Sequence, residues 1–272
     1  MKSVRSVVAC TFLLSCRLLA SSGSPISGDS VSISLEKSVV SQDEPVLATI
    51  RIENRTPWRM DLDLGGDGKD NLLIRVTDSD GIQHEGKRDQ PRGSSTFFGN
   101  VHLESRERFS ETIVLSEWFH FDGVGRYKIE VRIKTPLKTA KHATPIRTSS
   151  LALDVTPKDS RQLMLSCENL LSRIQAMGSA QDALAAATAL GLVRDPVVVP
   201  FWKQLLTNPA FGQRAAFSLA QIGNKDAVEA LAGVLHSTDA ETHALAQSAL
   251  RSLASQTSDT LVRAEALNAL DH

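Results

Sequence analysis

The chain changes its hydrophobic period once, a little past its midpoint. From Val31 to Val155 apolar residues recur at every second position, as in the run from Val46 to Ile52, and clusters of Gly, Asn, Asp and Pro separate the runs. Strict alternation is typical of strands that bury one face and expose the other. About seven such strands separated by turns predict an antiparallel β-sandwich.

Three segments of the second half repeat one helical pattern. Each begins with an alanine, at Ala186, Ala215 and Ala246, and small and aliphatic residues follow at matched positions. The period of about 30 residues is typical of solenoids, whose repeats bury their apolar faces against their neighbours. We therefore predict a first helix over 160–177 and then three helix pairs. The A helices fall near 180–193, 211–222 and 240–255, and the B helices fall near 197–206, 225–236 and 259–270.

These periods divide the chain into three parts. Residues 1–28 are predicted to be a signal peptide, 29–157 a β-sandwich, and 158–272 helical repeats, with the boundary near Thr156 and Pro157. The predicted fold class is therefore a multidomain protein, all-β and then all-α. The segment 136–150, which is basic and contains two prolines, is predicted to be a mobile loop between the last two strands.

One turn of the first domain resembles a known corner. Asp122 to Tyr127 reads DGVGRY, and the alternating strand that contains Ile129 follows it. This resembles the tyrosine corner of immunoglobulin-like and fibronectin-like domains, in which the tyrosine hydroxyl closes the turn. Ile129 stands where an antibody domain has its second cysteine, so the resemblance implies an immunoglobulin-like sandwich without that disulfide. A fold of this kind does not specify a function.

The second domain resembles HEAT repeats, in particular the short HEAT-like repeats of phycobilisome lyases. The best match is Arg214 to Leu235, in which an Ala-rich helix A ends in an Ile-Gly turn and an apolar-faced helix B follows. Repeat one departs from the pattern by carrying Pro200 within its helix B. The resemblance implies a short α-solenoid that binds other proteins, and it transfers no catalytic residue to this chain.

The net charge and the amino-terminal segment indicate which classes of partner to expect. The chain has 30 basic and 31 acidic residues, which gives no support for nucleic-acid binding. Lys2 and Arg5 precede the apolar run Val7–Leu14, a layout typical of a secretory signal. Residues 13–16 resemble the lipobox of bacterial lipoproteins, so Cys16 is a candidate lipid-attachment residue. Ordinary cleavage nearer Ser22 is the alternative, and a membrane is expected as a partner only through such an anchor.

No motif for catalysis stands out in the sequence. Serine-hydrolase, zinc-protease, Walker and dinucleotide glycine patterns are absent, and we predict no catalytic, cofactor-binding or metal-binding residue. The acidic, Gly-rich run from Asp61 to Asp70 is interpreted as a turn rather than a calcium loop. His236 and His243 flank a turn but lack a third ligand, and Cys167 is expected to be a buried, inert thiol.

The aromatic run Trp118–Phe121 supports two interpretations. Packing beneath the corner that begins at Gly123 is one, and exposed rings that stack on sugars are the other. We therefore predict an exported, non-enzymatic scaffold of the cell envelope, periplasmic or secreted, that binds a protein partner along its B helices. Two alternatives remain at this point: carbohydrate or envelope-polymer binding through Trp118, Phe119 and Phe121, and an accessory subunit of an enzyme.

Overall fold

The computed structural model describes residues 29–64, 71–87, 100–134, 137–139, 143–144, 149–176 and 178–271. Twelve strands precede seven α-helices in these residues. The strands are β1 (Asp29–Leu35), β2 (Val39–Ser41), β3 (Leu47–Asn54), β4 (Met60–Asp63), β5 (Leu72–Thr77), β6 (Gln83–Glu85), β7 (Asn100–Leu103), β8 (Arg108–Val114), β9 (Gly125–Ile133), β10 (Leu137–Thr139), β11 (Ala143–Thr144) and β12 (Ser149–Thr156). The helices are α1 (Ser160–Gln175), α2 (Ala180–Leu192), α3 (Val199–Leu205), α4 (Gly212–Ile222), α5 (Lys225–Ala232), α6 (Ala240–Gln256) and α7 (Thr260–Asp271).

The strands form an immunoglobulin-like sandwich. Its sheets have the orders β1-β3-β8, β11-β10-β4-β7 and β2-β12-β9-β5-β6, and the pairings are antiparallel except for the parallel β2 and β12. Alternate residues of β3, such as Ile50 and Ile52, are buried between the sheets, whereas Arg51 is exposed. The period-two pattern therefore predicted both the strands and their buried face.

The predicted tyrosine corner is present. The Tyr127 hydroxyl donates a hydrogen bond to the Gly123 carbonyl oxygen at 2.8 Å. A Cβ atom on Gly123 would lie only 2.7 Å from that hydroxyl oxygen, so any larger residue there would have to displace the Tyr127 hydroxyl. Ile129, in the position of the antibody cysteine, is fully buried.

The helices form a short solenoid, as the repeat predicted. α2, α4 and α6 are the A helices, while α3, α5 and α7 are the B helices. α4 ends at Gly223, whose φ of 61° is the left-handed conformation that favours glycine at a helix end. Asn224 then caps α5 by accepting a hydrogen bond from the Ala227 amide at 2.8 Å.

Two local predictions need correction. The segment 136–150, predicted as a mobile loop, contains β10 and β11, and β10 pairs with the edge of β4. Helix B of the second repeat ends at Ala232, before Gly233, rather than near 236. Pro200 lies within helix B of the first repeat, as predicted, because α3 begins at Val199 and proline is tolerated in the first turn.

Candidate protein-binding groove

Polar groups fasten the sandwich to the first helix. The Glu44 carboxylate, between β2 and β3, accepts hydrogen bonds from the Ser41 amide at 2.9 Å and from Gln162 Nε2 at 2.8 Å. It also contacts Ser166 Oγ on α1 and the Lys37 ammonium group. Its side chain is only 1% exposed. Burial alone would raise the pKa of Glu44, but the hydrogen bonds and the Lys37 charge outweigh it, so the pKa is lowered.

Two further basic side chains form ion pairs at the same junction. Lys158, between the last strand and α1, lies 2.8 Å from an Asp43 carboxylate oxygen and 2.5 Å from one of Asp195. Hydrogen bonds to these two carboxylates raise the pKa of Lys158. Arg173 on α1 lies 2.9 Å from Glu36 in the sandwich. Because Leu47 and Val114 of the sandwich also pack into the helical core, the junction combines apolar and charged contacts.

Next to this junction, a groove of about 1060 Å³ lies between the sandwich and the A helices. One wall comes from the sandwich, at residues 84–87 and 116–120. The other comes from α2, α4 and α6, and from Arg194 just after α2. Its helical lining comprises Thr188, Gly191, Leu192, Gln213, Arg214, Ala216, Phe217, Ser218, Ala220, Gln221, Leu245, Ser248, Ala249 and Ser252.

The helical wall presents an exposed aromatic ring. Phe217 on α4 is 60% exposed, although Ala215 and Leu219 beside it are buried in the solenoid core. Arg214, Phe217 and Gln221 are three and four residues apart, a spacing that places them along one helix face. Each of them lines the groove. A large apolar side chain exposed in a concave site is typical of a binding surface.

Two arginines accompany this ring. Arg194 donates to Gln221 Oε1 at 2.6 Å, and Arg214 donates to Thr188 Oγ1 at 2.8 Å. Removal from water lowers the pKa of Arg214, and the negative charge of Glu117 on the opposite wall partly opposes this shift. The groove therefore contains a partly desolvated guanidinium group near an exposed phenyl ring.

The aromatic run Trp118–Phe121 packs mainly inward. Trp118 and Phe121 are 6% and 7% exposed, and the Phe121 ring meets Tyr127 edge to face at a centroid distance of 5.4 Å. Phe119 is partly buried against Phe121, while His120 is exposed at the groove. Packing beneath the corner is therefore confirmed, and the rings do not offer the open stacking face that the carbohydrate alternative required.

The other candidate residues do not form a site. Asp61 contacts His102 and Arg59, Asp63 ends β4, and residues 65–70 of the acidic run lie outside the described residues. His236 is exposed, whereas His243 contacts the Leu235 carbonyl oxygen. No group of three residues able to hold a metal ion occurs in the described part of the chain.

The structure describes Cys167 but not Cys16. Cys167 is fully buried, as predicted, and burial, with nearby carboxylates, raises the pKa of its thiol to about 12; that the thiol is inert stays a prediction. Cys16, the candidate lipid-attachment residue, lies outside the described residues, as does the predicted signal at 1–28. None of the helices described is long and apolar enough to cross a membrane.

The sequence did not reveal the groove. We expected a partner surface on the B helices, but the groove is lined by A helices and by the sandwich. The available signal was Phe217 itself, a large aromatic residue in the Ala-rich helix α4. It was not used, because nothing in the sequence showed that the sandwich stands opposite this helix.

The fold and groove define a two-domain protein, an immunoglobulin-like sandwich followed by HEAT repeats. Residues 30–156 match the family model described as the N-terminal domain of flagellar collar protein C. Residues 168–251 match the model of HEAT repeats, which are generally protein-interaction modules. Together these matches indicate a structural or protein-interaction role, and both families are in general non-catalytic.

Comparison with solved structures adds only weak similarities, and comparison with curated proteins gives no match. A β-glucosidase from Listeria innocua aligns over 48% of this chain at 9% identity and a TM-score of 0.27, and the alignment spans only 16% of that enzyme. The CARDB domain of a Pyrococcus furiosus protein, solved with di-metal ions, aligns over 50% of this chain and 95% of its own length, at 10% identity and a TM-score of 0.25. Similarities this low carry no argument about function.

Proposed function

We propose that this protein is a non-enzymatic scaffold of the bacterial cell envelope that holds a segment of a partner protein in the groove between its two domains. The observation that carries the proposal is Phe217, a 60% exposed ring on the wall of a groove whose two sides are fastened together by buried contacts. Pre-organised walls reduce the entropy that is lost on binding. The groove thus has the rigidity and the apolar anchor of a recognition surface.

Export and assembly belong to the same proposal. The basic and apolar pattern of residues 1–28 supports a signal peptide, and the lipobox-like residues around Cys16 support a lipid anchor after its removal. The mature chain would then consist of the sandwich, 29–157, and the repeats, 158–272. The match to a flagellar collar protein domain supports a structural subunit of an assembly of that kind in the envelope or periplasm.

A photo-crosslinking amino acid in place of Phe217 tests the binding role in the native cells. The matched control places the same amino acid at Leu261 on α7, which is 75% exposed and does not line the groove. We expect a discrete protein adduct from position 217 that position 261 does not give. Identical adducts from both positions, or none from 217 in a folded protein, would refute the groove as the partner site.

Anchoring has a separate test. We expect the wild-type chain to partition into detergent and Cys16→Ser to remain in the aqueous phase. Equal partitioning of the two chains would remove the lipid anchor from the proposal without affecting the groove.

An accessory enzyme subunit is the second candidate, because polar side chains such as Gln213 and Ser248 also line the groove. A catalytic role would need titratable groups gathered at one point. Among the described lining residues, His84 Nε2 lies 2.9 Å from Asp78 Oδ2, which is one histidine–carboxylate contact within the sandwich rather than a gathered set of titratable groups. Capture of an enzyme subunit at position 217 would favour this candidate over a purely structural one.

A further inference from the structure

The two walls of the groove differ in charge. Among the described lining residues, the helical wall contributes Arg194 and Arg214 and no acidic side chain. The sandwich wall contributes both signs, with Lys87 opposed by Glu85 and Glu117. A ligand that lies along the helices therefore meets only positive charge there, and charge complementarity favours an acidic ligand.

Arg214 has capacity to bind such a ligand. A guanidinium group has five N–H donors, and Thr188 Oγ1 is the hydrogen-bond acceptor that the described residues supply to it. Removal from water disfavours its charged form, and the charge of Glu117 offsets only part of this cost. A second carboxylate at this position would supply both a bidentate partner and further charge compensation.

The apolar contact lies beside this charge. Phe217 follows Arg214 by three residues, a helical spacing at which the Cβ atoms lie about 5–6 Å apart on one face of α4. Leu192 and Leu245 line the groove on the flanking helices. The groove volume of about 1060 Å³ is at the upper end of the range of small-molecule pockets, roughly 300–1,000 Å³, and it leaves room for side chains of a polypeptide segment.

We propose that the groove recognises an acidic, apolar segment of a partner protein, in which a large apolar side chain packs on Phe217 and a neighbouring carboxylate binds Arg214. This inference rests on the proposed function and specifies the chemistry of the partner. Arg194, which is exposed at the groove, adds long-range attraction for the same segment.

Selection of a random 12-residue peptide library against the full chain tests this chemistry without assuming a sequence. We expect enriched peptides to pair Asp or Glu with Leu, Phe or Trp. Fluorescence anisotropy of a selected peptide should show binding at least 10-fold weaker to Arg214→Gln and to Phe217→Ala. The matched controls, Arg161→Gln at an exposed position of α1 and Leu261→Ala on α7, should leave affinity within about 2-fold.

A folding control keeps the test decisive. If Arg214→Gln lowers the thermal midpoint, the exposed substitutions Phe217→Ala and Arg194→Gln replace it in the comparison. Replacement of glutamates by glutamines in the selected peptide should weaken binding at least 5-fold, and added salt should reduce the difference because it screens the charge.

Three outcomes would overturn the inference. Enrichment of basic or neutral peptides that still require Phe217 would leave the groove as a partner site but remove the acidic specificity. Enrichment that is insensitive to Phe217, or no enrichment, would refute both proposals. Self-association of the full chain that Phe217→Ala abolishes in sedimentation would assign the groove to a second copy instead.

Discussion

Substitution of Glu44 by alanine tests the junction that fixes the groove walls. The carboxylate is buried and accepts hydrogen bonds from two buried donors, the Ser41 amide and the Ser166 hydroxyl. Each orphaned buried donor costs about 1–3 kcal/mol. Lys37, which is half exposed, regains water and adds little. After partial relaxation we expect Glu44→Ala to lower the free energy of unfolding by about 3 kcal/mol.

Urea denaturation followed by circular dichroism measures this change. Glu168→Ala is the matched control, because Glu168 is an exposed carboxylate on the same helix as Ser166 and should cost less than about 0.5 kcal/mol. Glu44→Gln keeps the shape and one acceptor, so we expect an intermediate loss. A Glu44→Ala chain as stable as the control would refute the bonded junction.

The pH dependence of the same substitution has a defined sign. The pKa of Glu44 is lowered below its ordinary value of 4.5, so the ionised group stabilises the folded state above that pH. The advantage of wild type over Glu44→Gln should be full at neutral pH and should decline as the pH falls through the lowered pKa. An advantage that grows on acidification would contradict the assignment.

Three further predictions concern single residues. Tyr127→Phe removes the hydrogen bond to Gly123 and should lower the free energy of unfolding by about 1 kcal/mol, measured by urea denaturation; no loss would argue against the corner. Gly223→Ala forces alanine into φ of 61° and should cost about 1 kcal/mol, whereas Gly178→Ala, with open space around its Cβ position, should be nearly neutral in the same assay. Cys167, with the other cysteines replaced by serine, should resist a thiol reagent until the chain is unfolded, and rapid labelling of the native protein would contradict its burial.

Local pattern predicted most of the fold. Alternation in β3, the Asp-Gly turn before Tyr127 and the alanine spacing of α2, α4 and α6 each depend on contacts between neighbouring elements. Such contacts require apolar or small residues at regular or fixed positions, and these positions can be read from the sequence. β10 and β11 were not predicted, because each pairing is only two residues long and the segment contains prolines and polar residues without an alternating pattern.

The candidate site depends on contacts that cannot be read from the sequence in this way. Glu44 meets Ser166 across 122 positions of sequence, and Lys158 joins Asp43 to Asp195 through one side chain. No periodic pattern or motif in the sequence indicates either contact. The orientation of the sandwich, and hence the wall opposite Phe217, could therefore not be predicted from one sequence.

Crosslinking from both walls tests the central claim most directly. A photo-crosslinking amino acid is placed at His120 on the sandwich wall and, in a separate chain, at Phe217 on the helical wall, both of which line the groove. We predict that the two positions capture the same partner protein in the native cells, through the same segment of that partner. Capture of unrelated proteins by the two positions, or capture at neither, would contradict a groove that binds one partner between the two domains.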